Sequence, residues 1–179
     1  MRSAALIAGI VCLAAIHGVA AEPEPAVNGV KPCVTLTGAD SRVAERGYHR
    51  ITSMKEWVNV WRKHKGDPGG GEYNHYYNPL GIPAVDFDRY MVVAVFQGAG
   101  MNSAGLDAFW LSQDEDRIVF RFKDKSYQTS GPDGGGKPVT VYGFFVLPRL
   151  SQPVILEENV QGLIGKPPVW KERITFPKI

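Results

Sequence analysis

The chain has 179 residues, of which 44% are hydrophobic, and its 20 lysines and arginines nearly balance 18 aspartates and glutamates. A formal net charge of +2 does not supply the strongly basic surface that nucleic-acid binding normally needs. Two cysteines are too few for a disulfide-rich scaffold, but a chain of this length can bury a core without disulfides.

The first 21 residues are typical of a cleavable secretory signal. Arg2 supplies a positive charge, residues 4–16 are almost wholly apolar, and Val19 and Ala21 place small side chains where a signal peptidase recognises them. The apolar run is short for a membrane anchor, and no later segment is apolar for long enough to span a membrane. We therefore expect export to the periplasm or the extracellular medium, with 19 basic and 18 acidic residues left after cleavage.

The mature chain would keep a single cysteine, Cys33, so it cannot form an internal disulfide. Residues 22–32 are rich in proline and polar groups, which predicts a flexible lead. Because no repeat or linker follows, residues 33–179 are predicted to form a single globular domain. We expect Cys33 to be a passively packed thiol near the edge of that domain, with a reactive or intermolecular thiol as the alternative.

Residues 53–64 have the pattern of an amphipathic helix. Ser53 can cap its beginning, with Glu56 at capping-box spacing, and Gly66 can end it after a basic last turn. Apolar side chains recur at intervals of three and four residues, namely Met54, Trp57, Val58 and Trp61. Two tryptophans on one stripe indicate core packing rather than a cofactor pocket.

The rest of the chain predicts β-structure. Residues 90–97 are nearly all apolar, as in a central strand that is buried on both faces. Further candidate strands are residues 106–113, 117–123, 139–147, 154–160 and 170–176. Short strands between glycine-rich turns predict an α+β fold that is predominantly antiparallel β, as a sandwich or open barrel, with one amphipathic helix near the N-terminal side.

Three loops are predicted, over residues 65–84, 98–105 and 131–138. The first is long, and it concentrates the candidate binding residues Tyr73, Asn74, His75, Tyr76 and Tyr77. Tyrosine is enriched at protein interfaces because it offers a large contact area with little entropy to lose. These rings can equally well fold back to cover the sheet, so both interpretations stay open.

Several segments occur in an order shared with a known family. A tryptophan-bearing helix precedes residues 85–96 (VDFDRYMVVAVF) and Gly98, and residues 140–149 (TVYGFFVLPR) follow later. In this order the chain resembles the PrcB-type domain, a protease-complex-stability family of bacterial exported proteins, over about residues 50–150. The resemblance implies a β-rich, non-catalytic domain that binds or stabilises a larger protein, which is a secreted protease in the founding example.

The chain departs from that family at two places, and residues 151–179 lie outside the resemblance. The closing strand has Val141 before Tyr142 where the family has Pro-Tyr, and residues 101–106 (MNSAGL) replace a Thr-Gly-Gly-Tyr-like turn. Because they occupy the place of that turn, Met101, Asn102 and Ser103 form a second set of candidate binding residues. An alternative function is a protease-inhibitor-like module that inserts the 98–105 loop into a protease cleft.

No motif for catalysis, metal binding or phosphate binding is found in the sequence. It lacks a Gly-x-Ser-x-Gly elbow and a His-Glu-x-x-His helix, and its glycine-rich segments lack a Gly-Lys-Ser/Thr ending. Asp86 and Asp88 are better explained as a turn into a strand than as a catalytic pair. We therefore predict a binding protein without cofactor or metal, which is not an enzyme; an enzyme with a dispersed site is the remaining alternative.

Overall fold

The computed structural model describes residues 32–179, with the exception of residues 68, 70–72, 75, 114–115, 131–133 and 164. The predicted signal and residues 22–31 of the predicted lead lie outside the described residues. So does His75, one of the candidate binding residues.

The described part of the chain forms two four-stranded sheets and one helix. The elements are β1 (Val34–Gly38), β2 (Gly47–Ile51), α1 (Met54–Lys65), β3 (Tyr90–Met101), β4 (Ser103–Gln113), β5 (Ile118–Ser126), β6 (Pro138–Pro148), β7 (Val154–Asn159) and β8 (Trp170–Phe176). The strand orders are β1-β6-β3-β2 and β4-β5-β7-β8, and every neighbouring pair is antiparallel except β5 and β7, which are parallel. The predicted α+β class with a mostly antiparallel sandwich is confirmed.

The first sheet lies between the second sheet and α1, so it is covered on both faces. Along β3, Met91 and Val93 enter the core between the sheets, while Val92 and Ala94 pack in the core beneath α1. Successive side chains of a strand point to opposite faces, which explains why residues 90–97 are apolar almost without interruption. No helix in the described chain is long and apolar enough to cross a membrane.

Side-chain hydrogen bonds join the two sheets along both of their edges. On one side, the Thr37 hydroxyl donates to Tyr142 O at 3.0 Å and accepts from Leu106 N at 2.6 Å, which links β1 and β6 to β4. On the other side, the guanidinium of Arg50 in β2 donates to the carbonyl oxygens of Leu150, Gln152 and Pro177. A side chain thus bridges the two sheets of the sandwich on each side.

Helix α1 forms as predicted. The Ser53 hydroxyl accepts from Glu56 N at 3.3 Å, and the Glu56 carboxylate accepts from Thr52 N at 2.9 Å, so both bonds of a capping box are present with the second shifted by one residue. Gly66 ends the helix in the left-handed region at φ 72°. The buried face contains the predicted Trp57, Val58 and Trp61, together with Val60 and His64.

The prediction of a loop over residues 98–105 is wrong. These residues are the end of β3 and the beginning of β4, and β3 continues opposite β6 through a bulge between Phe96 and Gly98. Gly98 has φ 79°, and a Cβ atom there would lie 2.7 Å from Ala44 O. Gly98 and Gly105, two of the glycines that suggested a loop, are required by the close approach of another segment to the strand, whereas a Cβ atom at Gly100 would meet nothing within 4 Å.

Candidate functional site

The segment between α1 and β3 is held against the helix by both of its tryptophans. Trp57 Nε1 donates to Pro83 O at 2.8 Å, and Trp61 Nε1 donates to Leu80 O at 2.9 Å. Asn78 closes a turn onto Ile82, with its amide donating to and accepting from the Ile82 backbone at 2.8 Å in each case. Because buried indole N–H groups need acceptors, packing of the two tryptophans also fixes the path of this segment.

The structure separates the predicted tyrosines into two groups. Tyr73 packs against the core beneath α1, whereas the side chains of Tyr76 and Tyr77 are 88% and 75% exposed. Asn74 forms the turn between them: its Oδ1 accepts from Tyr76 N at 2.9 Å, and its carbonyl oxygen accepts from Tyr77 N at 3.1 Å. The segment is therefore both a cover for the core, through Tyr73, and an exposed aromatic surface. We call Tyr76 and Tyr77 the tyrosine surface.

A small cavity of about 150 Å³ lies beside the tyrosine surface. Its lining includes Arg62, Asp67, Tyr73 and Tyr77. The Arg62 guanidinium donates to Gly69 O at 2.9 Å, which ties the beginning of the loop to α1. Pockets for small-molecule ligands usually have roughly 300 Å³ or more, so this cavity suits a single side chain of a partner.

At the hairpin between β3 and β4, Asn102 holds three segments together. It adopts φ 54°, and its backbone N donates to Lys137 O at 3.0 Å while its carbonyl oxygen accepts from Tyr127 N at 2.8 Å. Its side chain accepts from Lys137 N at 2.7 Å and donates to Thr129 Oγ1 at 3.2 Å. The predicted binding residue Asn102 is thus engaged in joining the β3–β4 turn to both ends of the β5–β6 connection.

The neighbours of Asn102 differ from each other in exposure. Ser103 is buried, where its hydroxyl donates to the Asp124 carboxylate and accepts from Gly105 N at 3.1 Å. Burial raises the pKa of Asp124, and the hydrogen bond from Ser103 opposes that effect. Met101 is 54% exposed. Of the three residues predicted at this turn, Met101 alone offers a side chain to a partner.

A cluster of charged groups around the buried Glu158, which the sequence analysis did not identify, lies where the two sheets meet. The Glu158 carboxylate accepts from Gln97 Nε2 at 2.7 Å and from Arg173 Nε at 2.5 Å, and Arg46 lies 3.7 Å away. Burial raises the pKa of the adjacent Tyr48; the charge of Arg46 opposes this effect and the charge of Glu158 adds to it. Because Gln97 lies in β3 while Glu158 and Arg173 lie in β7 and β8, these bonds join the two sheets.

Arg173 reaches this cluster because of an irregularity in β8. In the pairing with β7, Leu156 lies opposite Ile174 and Glu157 lies opposite Glu172, so Arg173 is an extra residue at a bulge. In a regular strand Arg173 and Ile174 would point to opposite faces of the sheet. A bulge depends on the partner strand, and the local sequence of β8 does not indicate it.

A buried serine–histidine pair lies next to the end of α1. Ser41 Oγ and His64 Nδ1 are 3.1 Å apart, and both residues are buried. Burial, followed by the charge of Lys65, lowers the pKa of His64 to about 4, against the opposing effect of Asp40. Such a histidine is a weak base at neutral pH, and its ring packs against Tyr142 with 4.2 Å between the centroids and an angle of 49° between the ring planes. The pair therefore ties the Ser41 segment to the helix.

Cys33 is exposed, so the prediction of a packed thiol is wrong. It precedes β1, which is an edge strand of the first sheet, and it lies at an apolar groove of about 300 Å³ lined in part by Trp57, Val85 and Phe144. In the described part of the chain, no group of three or more histidine, cysteine, aspartate and glutamate side chains could hold a metal ion.

Comparisons of the chain with protein-family models, curated proteins and solved structures gave no match. The resemblance to the PrcB-type family therefore stays a prediction, and the function has to be inferred from the geometry of the surface.

Proposed function

We propose that the chain is an exported, non-catalytic protein that binds and stabilises a larger protein, and that the tyrosine surface is its principal contact. The observation that carries this proposal is the exposure of two adjacent tyrosine rings, at 88% and 75%, on a segment that is hydrogen-bonded to α1. Isolated exposed apolar groups are common on protein surfaces, but adjacent aromatic rings on a fixed backbone are typical of contact sites.

The anchoring of the segment is as important as the exposure of the rings. Ordering a loop on binding costs conformational entropy, and a loop that is already ordered avoids that cost. Here Trp57, Trp61 and Asn78 fix the backbone on one side of the tyrosine surface, and Asn74 fixes the turn that carries it. The small cavity lined by Tyr77 and Arg62 adds a recess for a partner side chain.

The kind of partner is inferred from the sequence together with this surface. The amino-terminal pattern supports export, and the resemblance to the PrcB-type family supports a secreted protease as the protein that is bound. The inhibitor alternative has less support, because residues 98–101 pair with β6 and Ser103 is buried. A segment built into a sheet in this way does not offer an extended chain to a protease cleft.

A capture experiment tests the proposal. The purified protein is immobilised at low salt and exposed to the envelope and medium fractions of the producing cells, in parallel with a Tyr76→Ala/Tyr77→Ala variant. We expect the wild type to retain a stoichiometric partner. The double variant should retain at least about tenfold less of that partner, because hot-spot residues carry most of the binding free energy. The matched control is Leu163→Ala, which removes a side chain that is 67% exposed elsewhere.

Equal capture by the wild type and the double variant, with unchanged melting temperatures, would contradict the proposal. Repeated failure to capture any stoichiometric partner would do the same. Export is tested separately by mass spectrometry of the protein recovered outside the cytoplasm, where we expect Glu22 as the first residue. A recovered chain that still begins at Met1 would contradict cleavage.

A further inference from the structure

A groove of about 620 Å³ lies beside the β3–β4 hairpin. One wall is formed by residues 39–42, which run along the beginning of β6: Ser41 N donates to Thr140 O and Thr140 N donates to Ala39 O, each at 3.0 Å. The lining has few bulky side chains near this wall, since it includes Ala39, Ala99 and Gly100. Small residues permit the close approach of another main chain.

The lining of this groove contains two cations and one carboxylate. Arg42 and Lys137 are both exposed, and Asp40 is the acidic residue of the lining. Asp40 forms an isolated parallel β-bridge with Thr140. Because residues 39–42 and the beginning of β6 therefore run in the same direction, Arg42 lies toward one end of the groove and Lys137 toward the other. Among the described residues, no carboxylate forms an ion pair with Arg42 or Lys137. The groove is therefore positively charged toward both ends.

The end of α1 lies next to both the groove and the small cavity beside the tyrosine surface. A Cβ atom on Gly66 would lie 2.8 Å from Cγ of Arg42, so the Arg42 side chain packs against the residue that ends the helix. The last turn of α1 adds more cations, namely Arg62, Lys63 and Lys65. Arg62 lines the same small cavity as Tyr77. Cations of the last turn of α1 therefore lie between the groove and the aromatic contact site, and Asp67 is the acidic residue of the small cavity there.

We propose that this groove binds an extended acidic segment of the partner protein. The main chain of that segment lies over the small residues, and its carboxylates contact Arg42 and Lys137, while the exposed Met101 packs beside the Lys137 end. The inference rests on the proposed function, since the groove and the tyrosine surface would contact one partner. Two cations opposed by a carboxylate are too few to hold a phosphate backbone, which favours an acidic polypeptide over a nucleic acid.

Fluorescence anisotropy with a defined probe tests the groove without knowledge of the partner. The probe is a fluorescein-labelled octapeptide of alternating glutamate and glycine, and the comparison peptide has lysine in place of glutamate. We expect saturable binding of the acidic peptide by the wild type at about 50 mM salt, and weaker binding at about 300 mM, because surface charge pairs are screened. An Arg42→Glu/Lys137→Glu variant should weaken binding by at least about tenfold.

The matched control is Lys55→Glu/Lys171→Glu, which makes the same change of charge at exposed positions away from the groove. We expect it to alter binding by less than about twofold at the higher salt, because charges beyond a Debye length are screened. Amide shifts in NMR spectra give a second readout. Because they are measured on the wild-type protein, they do not depend on the folding of a variant. On titration with the acidic peptide, Gly100 and Thr140 should shift most.

Several outcomes would overturn the inference. The Arg42→Glu/Lys137→Glu variant could bind the acidic peptide as tightly as the wild type does, or the wild type could bind the lysine peptide as tightly as the acidic one. The inference would also fall if the acidic peptide showed no saturable binding below about 1 mM, or if its amide shifts lay outside the groove. Tighter binding of an eight-nucleotide thymidine strand would assign the groove to nucleic acid instead. If the groove fails these tests while Tyr76→Ala/Tyr77→Ala still abolishes capture, the proposed function stands without it. If the peptide binds but the tyrosines are dispensable for capture, the proposed function falls.

Discussion

The turn before the tyrosine surface and the turn at the β3–β4 hairpin both depend on an asparagine, but the two asparagines bind differently. The bonds of Asn74 to other described residues are local, to the backbone of Tyr76 and Tyr77, and the rings that follow it are exposed. Asn102 binds Thr129 and Lys137 from a distant part of the chain. A turn that is closed by local hydrogen bonds leaves the neighbouring side chains free to contact a partner. A turn that is bonded to distant segments stabilises the fold instead.

Substitution at Asn102 should give the largest effect. Asn102→Ala removes two side-chain hydrogen bonds and places alanine at φ 54°, which should lower the free energy of unfolding by about 2–4 kcal/mol. Asn102→Gly tolerates that backbone conformation and should cost about half as much. Chemical denaturation measures both values. If the free energy of unfolding of the alanine variant fell by less than about 0.5 kcal/mol, the turn at Asn102 would contribute no more to the stability of the fold than the turn at Asn74.

The stability of the protein in acid should report on the contact between the hairpin region and the helix. Ser41 lies at the groove beside the β3–β4 hairpin, and it contacts His64 on the helix that anchors the tyrosine surface. The pKa of His64 is lowered from 6.5 to about 4 by burial. Below about pH 6.5 the unfolded chain therefore binds a proton that the folded protein does not, and stability falls until about pH 4, by up to roughly 3 kcal/mol. Above pH 6.5 this contribution is constant.

Denaturation at a series of pH values checks this expectation, with His64→Gln as the variant that should lose most of the acid dependence. A smaller dependence should persist in the variant, because burial also lowers the pKa of His49. A wild-type stability that does not change between pH 6.5 and 4.5 would contradict the account of His64.

Loosening the anchor of the tyrosine surface should have a smaller and more local effect. Trp61→Phe keeps an aromatic ring but removes the hydrogen bond to Leu80 O, at an expected cost of about 1–2 kcal/mol. We expect faster hydrogen exchange in residues 76–82 and unchanged exchange around Asn102. The reciprocal result is expected for Asn102→Gly. Equal acceleration of exchange in both regions would show that they are not independent.

The smallest effect on stability is expected for the exposed rings themselves. Tyr76→Ala and Tyr77→Ala should each change the free energy of unfolding by less than about 0.5 kcal/mol, since surface substitutions seldom cost more. Tyr73→Ala serves as the control within the same segment, and it should cost about 1–2 kcal/mol because Tyr73 packs against the core. Similar losses for all three variants would contradict the division of the segment into cover and surface.

The parts of the fold that follow from periodicity could be predicted from the sequence, and the parts that depend on distant partners could not. The unbroken apolar run of β3 and the apolar stripe of α1 are local properties, so the sequence predicts both elements. Strands β1 and β2 have only five residues each and contain few apolar side chains, which is why they were missed. The continuation of β3 through Gly98 depends on the crossing of residues 44–46, which lie far away in the sequence.

The same distinction applies to the candidate site. The composition of the loop after α1 indicated an aromatic contact surface, and exposure of Tyr76 and Tyr77 agrees with one of the two interpretations left open. The packing of Tyr73 and the burial of Ser103 depend on contacts with the core and with Asp124, which no local pattern shows. The positive groove was likewise not predicted, because Arg42 and Lys137 come to line the same groove only through the pairing of residues 39–41 with β6.

Site-specific photo-crosslinking at the tyrosine surface tests the central claim most directly. A photoreactive phenylalanine analogue is placed at position 77, and in a separate protein at position 163, where the natural leucine is 67% exposed. After illumination in the envelope and medium fractions, we predict one dominant protein adduct from position 77 and none from position 163. An adduct from position 163 with equal yield, or no adduct from position 77 in a protein that still captures its partner, would contradict binding through the tyrosine surface.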